Sequence, residues 1–261
     1  MCIRDSYFTY RGHADLLTWT CRATLEALAH SPYVLGRDIS IVVVDDASNP
    51  CPEAAVSELK AMGATYRTST FKRRGNLNGQ DCIMGILSEF KRSMHRKKDI
   101  AVKLDCDTLL LGTTWLERFV KDSSALVTGA DDRGCIYGMC YGLKAVLIDA
   151  LIDLFTRCPV GDRSQEDIYL GYRARRLAQS LSGDGSFLPI PIWLNSPDTP
   201  GDNGPHGQLI IYNWSRGLDI APLYTGFQVI NVCNGMHQGK TAMADVQKLV
   251  ERLVSGKFSV S

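Results

Sequence analysis

The stretch Ile100-Ala101-Val102-Lys103-Leu104-Asp105-Cys106-Asp107 decides how this chain is read. Apolar, β-prone residues run directly into two carboxylates spaced i, i+2. Alternate side chains of an extended strand share a face. The spacing therefore predicts that Asp105 and Asp107 point the same way from the end of a buried strand, with Cys106 turned to the opposite face. Two carboxylates held so close repel one another unless a cation sits between them. All-oxygen ligands select a hard ion such as Mg²⁺ or Mn²⁺, and such an ion can bridge two phosphate oxygens of a nucleotide. An Asp-x-Asp at a strand end is also compatible with a simple turn, because Asp bonds its own backbone there.

Upstream, Ile39-Ser40-Ile41-Val42-Val43-Val44 is a continuous β-branched run, which suits a parallel strand covered on both faces. It ends in Asp45-Asp46-Ala47-Ser48-Asn49. In open parallel sheets the carboxyl edge is where ligands bind. An Asp there can accept from a ribose hydroxyl or a base N–H, or it can serve the turn alone. A helix is expected from Ala54 to Met62 and a short strand near Ala64–Arg67. Before them, Tyr7–Tyr10 reads as a strand end and Arg11-Gly12-His13 as a turn. Asp15 can cap the next helix, whose apolar stripe is Leu16, Leu17, Trp19, Thr20, Ala23, Leu25 and Leu28. Met1–Ser6 looks like translated adapter read-through from assembled environmental sequence, which would make these six residues non-native.

Lys72-Arg73-Arg74-Gly75-Asn76-Leu77-Asn78-Gly79 leads into a helix from about Gln80 to Arg92. Cations before a Gly/Asn turn at a helix N-terminus can contact phosphate; a basic surface loop explains them as well. The resulting order, strand and helix in alternation up to the Asp-x-Asp strand, implies a largely parallel sheet.

Bulk properties narrow the classes. A 261-residue chain that is 45% hydrophobic can bury the core of one α/β domain. A net charge of +1 argues against nucleic acid as a partner. Nine cysteines, odd in number and without a CxxC pair, suit a reducing compartment, the cytoplasm, better than a disulfide framework. No apolar run reaches the ~20 residues of a transmembrane segment.

The order Thr9-Tyr10-Arg11, then Val42–Ser48 (VVVDDAS), then Gly75–Gly79 (GNLNG), then Leu104–Thr108 (LDCDT) resembles the nucleotide-sugar half of GT-A glycosyltransferases, family 2 above all. The likeness runs from about Tyr7 to Arg176. It implies one α/β domain of GT-A fold, a central, mostly parallel sheet flanked by helices. Residues 1–110 would form the nucleotide-binding half and residues 111–261 the acceptor side. It implies a nucleotide-diphosphate sugar as donor and a glycan, lipid-linked or other hydroxyl acceptor. By the same resemblance Asp45 and Asp46 hold base and ribose, and Asp105 and Asp107 hold Mn²⁺ or Mg²⁺ and the diphosphate. Thr9, Tyr10, Arg11, Arg74 and Asn76 fall on the donor side.

Two central features extend the likeness. Gly129-Ala130 and Gly134–Lys144 look like the glycine-bearing strand beside donor and acceptor; glycine lets a backbone approach a sugar closely, and two strands with a bulge explain it too. Gln165-Glu166-Asp167-Ile168-Tyr169-Leu170-Gly171-Tyr172-Arg173 resembles the family's Glu-Asp motif at a helix start, which makes Asp167 the general base. An attacking hydroxyl must lose its proton, and a carboxylate within ~3 Å can take it; one direct displacement inverts the anomeric centre. Plain helix N-terminal charge is the other reading of the pair. Tyr172-Arg173-Ala174-Arg175-Arg176 lacks the Gln-x-x-Arg-Trp of processive synthases, so non-processive transfer is expected.

Ser182–Gly207 is rich in Gly, Pro, Ser and Asp, interrupted by Phe187–Trp193, and reads as a lid or binding loop. Trp193 and Trp214 suit either sugar stacking or core packing. Gln208–Tyr212 and Phe227–Cys233 read as strands, and Ala242–Val254 as an amphipathic helix. Between them, His237 and Lys240 fit a late metal ligand and a diphosphate contact of some GT-A enzymes. Gly239-Lys240-Thr241 is not read as a P-loop, because Asn234 stands where its first glycine belongs. No Gly-x-Gly-x-x-Gly follows the first strand, and Ser48 and Ser164 lack a hydrolase elbow. The competing functions are a sugar-phosphate nucleotidyltransferase and a catalytically silent sugar- or nucleotide-binding module.

Overall fold

The computed structural model describes residues 2–8, 14–31, 38–45, 47, 50–69, 71, 79–132, 134–190, 192–194, 229–231 and 243–255. The β-branched run becomes β2 (Asp38–Asp45) and the Asp-x-Asp run becomes β4 (Ile100–Asp105). Ile41 to Val44 and Ile100 to Val102 are all buried, as strands covered on both faces must be. β1 (Cys2–Phe8) lies between them and pairs in parallel with both. It begins within the six residues expected to be non-native; its ladder uses main-chain groups, which any non-proline residue supplies. β3 (Thr65–Thr68) pairs in parallel with β2 on the far side. Between these strands run α1 (Ala14–Ala29), α2 (Glu53–Ala61) and α3 (Gly79–Ser93). Asp15 lies in the first turn of α1, one residue inside the helix, where its charge suits the dipole, and is not its cap.

The second half of the sheet reverses direction. β6 (Val127–Asp132) and β7 (Cys135–Lys144) form an antiparallel pair with a register shift between Gly129 and Asp131. β7 also pairs antiparallel with β4, and β8 (Phe187–Pro189) adds to β6 in parallel. The sheet order is β3-β2-β1-β4-β7-β6-β8. The helices α4 (Thr114–Lys121) and α5 (Ala145–Arg157), absent from the sequence reading, join α6 (Glu166–Ser182) in this half.

The chain divides into two compact units, each made of several segments, and one of the breaks falls between Cys106 and Asp107. The first unit holds the seven-stranded sheet. α3, α5 and α6 bury Ile83, Phe90, Leu147, Phe155 and Leu170 against Val42, Val44, Tyr141 and Leu143 of the strands. α6 comes close to β7 because Gly171 has no side chain: a Cβ there would stand 2.6 Å from the Ile136 nitrogen. The second unit holds α1, a three-stranded sheet of β5 (Thr108–Leu110), β10 (Val229–Asn231) and β9 (Ile192–Leu194), and the final helix α7 (Met243–Val254). The expected run Phe187–Trp193 is thus shared between strands of two sheets. Gln208–Tyr212, Trp214 and the rest of Phe227–Cys233 beyond β10 lie outside the described residues.

One expectation is corrected by the fold. The strand stops at Asp105, and Cys106-Asp107 form a turn before β5 begins at Thr108. Strand alternation therefore does not govern how Asp105 and Asp107 point. Cys106 is buried all the same.

Candidate active site

β2 and β4 both end at the carboxyl edge of the sheet in an aspartate. The register sets Phe8 opposite both Val44 and Asp105, so Asp45 and Asp105 lie at nearly the same height with β1 between them. Two inter-strand spacings make that separation roughly 10 Å. β7 passes β4 on its other side, with Leu104 opposite Cys140, which carries Gly138 to this same edge. Gly138 is where α6 arrives: a Cβ on it would stand 2.7 Å from the Cβ of Asp167. Asp45, Asp105 and Asp167 are thus brought to one edge of one sheet.

The centre of this edge is a residue that the sequence reading passed over. Lys103 is 1% exposed, on the same face of β4 as Asp105. Its Nζ lies 2.8 Å from Asp105 Oδ1 and 3.7 Å from Glu166 Oε2, and it donates to the Gly138 carbonyl. The same ammonium sits 5.6 Å from the centroid of the Tyr141 ring. Tyr141 in turn donates its hydroxyl to Glu166 Oε1 at 3.1 Å. Burial first, and then the Glu166 carboxylate, push the Tyr141 phenol well above its ordinary range, so it stays a donor. One cation thus serves two carboxylates. A lysine is almost never fully buried unless paired, so a lysine inside an apolar strand two residues before an acid was the signal available in the sequence. Glu166 is buried on the inward side of α6, whereas its neighbour Asp167 is only partly buried. The Asp167 carboxylate accepts the Ile168 N–H at 2.9 Å.

Asp45 is built differently. It is fully buried. Its Oδ2 accepts the Cys51 N–H at 2.6 Å and the Tyr66 hydroxyl, and its Oδ1 takes the Cys51 thiol at 3.5 Å. This carboxylate holds the turn after β2. Desolvation, followed by the Asp45 charge, pushes the Cys51 thiol up to about 12, and the Tyr66 phenol rises for the same first cause.

In the second unit, Asp107 Oδ1 accepts the Asn231 Nδ2–H at 2.9 Å, and that amide also reaches Thr108 Oγ1 at 3.1 Å. The contact ties the start of β5 to the end of β10. Thr9, Tyr10, Arg11, Asp46, Arg74, Asn76, His237 and Lys240 lie outside the described residues. Among the described residues no three His, Cys, Asp or Glu side chains gather as a metal cluster. Mg²⁺ usually takes only one or two carboxylates and completes its shell with water and substrate phosphate. Asp105, in the first unit, is paired with Lys103, and Asp107, in the second, is bonded to Asn231; each is by itself a hard oxygen donor of the type such an ion takes.

No protein-family model and no curated protein matches the chain. Solved structures do. The apo structure of the bifunctional glycosyltransferase WbbM aligns over 98% of this chain and 51% of its own, at 8% identity and a TM-score of 0.52. An active-site mutant of LgtC aligns over 97% of this chain and 95% of its own, at 14% identity and a TM-score of 0.48. Mouse xyloside xylosyltransferase 1, in its apo form, covers 88% of this chain and 97% of its own, at 10% identity and a TM-score of 0.43. The chain therefore spans about half the length of WbbM. The fold is of GT-A type, with its central sheet parallel on the β1–β4 side and mixed beyond it.

Proposed function

We propose that this protein is a family 2-like inverting glycosyltransferase that moves a sugar from a nucleotide diphosphate to a hydroxyl acceptor, without processive extension. The observation that carries the reading is the set of carboxylates at one edge of the sheet: Asp105 at the end of β4, and Asp167 at the start of α6, set against Gly138. Asp167 is the general base. As the acceptor oxygen bonds to the anomeric carbon, its proton passes to the Asp167 carboxylate and the carbon–oxygen bond to the diphosphate breaks. Asp105 and Asp107 hold Mn²⁺ or Mg²⁺, which when bound offsets charge on the departing diphosphate; His237 is a further ligand candidate. Lys103 holds Asp105 and Glu166 in place, and Glu166 begins the helix that carries Asp167. Asp46 takes the nucleoside, next in the chain to Asp45, whose carboxylate is bonded to Cys51 and Tyr66. Thr9, Tyr10, Arg11, Arg74, Asn76 and Lys240 complete the donor side.

The acceptor is a glycan, a lipid-linked sugar or another hydroxyl compound. Among the described residues no helix is long and apolar enough to cross a membrane. The cysteine usage supports a cytoplasmic setting.

Calorimetric titration of UDP- and GDP-sugars with and without Mn²⁺ tests the assignment. Metal-dependent binding that disappears in Asp105→Ala is expected. Asp167→Asn should keep donor binding and lose transfer by roughly 10²- to 10⁴-fold. Donor binding that is indifferent to metal and to Asp105→Ala sinks the site.

A further inference from the structure

A second concave site lies on the same unit, away from the carboxylates. α6, the Gly183–Phe187 segment and Gly134 line an open cleft of about 480 Å³. That size falls within the range of small-ligand sites, roughly 300–1,000 Å³. α6 lines it with Tyr172, Arg175, Arg176 and Gln179, and Asp184 faces them from the following turn. Tyr172, Arg176 and Gln179 recur on one helical face, which the core does not use.

The lining has a definite chemical character. Arg175 is fixed twice: its guanidinium lies 4.2 Å from the Phe187 ring centroid and is ion-paired with Asp131. Its charge is thereby matched. Arg176 lies 5.2 Å from the Tyr172 ring centroid and shares the lining with Asp184. With Arg175 paired to Asp131, the lining presents one further cation, Arg176, and one carboxylate, Asp184, a mixed set and not a cluster of cations of the kind that holds a phosphate. What remains is a planar donor fork, an amide that both donates and accepts, a carboxylate acceptor and an exposed aromatic ring. Tyr172 keeps 46% of its surface open. Gly134 and Gly183 at the rim adopt φ of +91° and +74°, and a Cβ on either would meet nothing. Neither glycine position crowds the cleft.

From this lining we infer that the cleft binds a neutral oligosaccharide, the pyranose face resting on Tyr172 and the hydroxyls shared among Arg176, Gln179 and Asp184. An aromatic ring presents an apolar plane with a polar tip, which matches a sugar ring with its apolar C–H face and polar edge. Tyr172 stands roughly 8 Å along the helix axis from Asp167, with the exposed Ile168 and Tyr169 between them. Five residues also turn about 140° round the helix, so a glycan reaching from the cleft to the helix start passes over Ile168 and Tyr169, and in that pose the cleft holds the part of an acceptor remote from the reacting hydroxyl. That last role rests on the glycosyl-transfer reading above, whereas glycan binding does not.

The test is a panel of immobilised neutral and acidic oligosaccharides probed with the intact chain, alongside Mn²⁺–UDP calorimetry. Retention of neutral glycans is expected. Tyr172→Ala and Gln179→Ala should each weaken it by roughly three- to tenfold, with nucleotide binding unchanged. Retention of acidic glycans alone, of none, or of neutral glycans with the affinity of both variants unaltered overturns the inference. Loss of nucleotide binding in the unmodified chain, with glycans still retained, would sink the transferase reading and leave the cleft standing.

Discussion

β2 and β4 end alike in sequence and differently in chemistry. Each strand runs through buried aliphatic residues into an aspartate at the same edge of the same sheet. At β2 the carboxylate is sealed and bonded to neutral donors: the Cys51 backbone, the Cys51 thiol and the Tyr66 hydroxyl. At β4 the carboxylate is 31% exposed and paired with the ammonium of a buried lysine. The first arrangement closes a turn. The second keeps a charged oxygen at the surface while its partner stays inside. What separates a sealed aspartate from an accessible one is its partner and its access to water, neither of which an Asp after an apolar run reveals.

The difference is broken most severely at Lys103. Lys103→Met removes the cation and leaves Glu166 buried and Asp105 half-covered without it. Removing one partner of a buried pair costs about 3–5 kcal/mol; the partial exposure of Asp105 brings the expectation to about 3 kcal/mol. Urea unfolding measures it, and metal-dependent nucleotide binding should fall in the same variant. The double variant Lys103→Met/Glu166→Gln should recover part of the stability, because it no longer buries an unmatched charge. A single variant as stable as the parent would show that Lys103 does not hold this edge together.

Gly138→Ala strikes the same edge from β7. The added Cβ would meet the Asp167 Cβ at 2.7 Å. Overpacking of this kind costs about 1–3 kcal/mol. Asp167 stands in the first turn of α6, so the helix start is what must give way. Transfer should therefore drop more than donor binding does. Equal losses in both would place the strain on the sheet instead of on Asp167.

How much of this could be read from the chain depends on the range of the interaction. The β-branched run of β2 and the apolar run of β4 announce themselves, because burial on both faces leaves a continuous hydrophobic string. The Glu-Asp pair at the head of α6 is equally local. The turn at Cys106-Asp107 was one of two readings the sequence left open, since extension and turning look alike in Asp-Cys-Asp, and alternation does not carry past Asp105. Lys103, Tyr141 and Glu166 lie far apart in the sequence, and their meeting depends on β7 running antiparallel beside β4. That strand reversal breaks the strand–helix alternation from which the first half was deduced. The glycines of β7 were legible as places of close approach, but not what approached, which at Gly138 is Asp167; Gly171 of α6, set against the Ile136 backbone, carried no such signal.

On the β2 side the expected effects are smaller. Tyr66→Phe deletes one of several donors to Asp45 and leaves the Cys51 N–H in place. A lost hydrogen bond to a buried charged acceptor costs about 1.5–3 kcal/mol, and the surviving donors put the expectation near the lower bound. Nucleotide binding should be nearly unchanged, in contrast with Lys103→Met. A Tyr66→Phe variant that loses nucleotide binding as fully as it loses stability would erase the distinction between the two strand ends.

The finest distinction is in alkaline solution. The Cys51 thiol is raised from 9.0 to about 12, first by desolvation and then by Asp45. The folded protein therefore holds this proton more tightly than the unfolded chain does. The stability it contributes is full below pH 9.0 and is lost as the pH rises towards about 12. Tyr66 shifts in the same direction and adds to the loss at higher pH. Denaturant midpoints taken at stepped pH should fall more steeply above pH 9.0 in the parent than in Cys51→Ser, which has no thiol to ionise there. Asp45→Asn should narrow the gap without closing it, since burial, the larger cause, remains. Parallel curves for parent and Cys51→Ser would mean that the thiol ionises as freely in the folded protein as in the unfolded chain, and that the β2 turn is open to water after all.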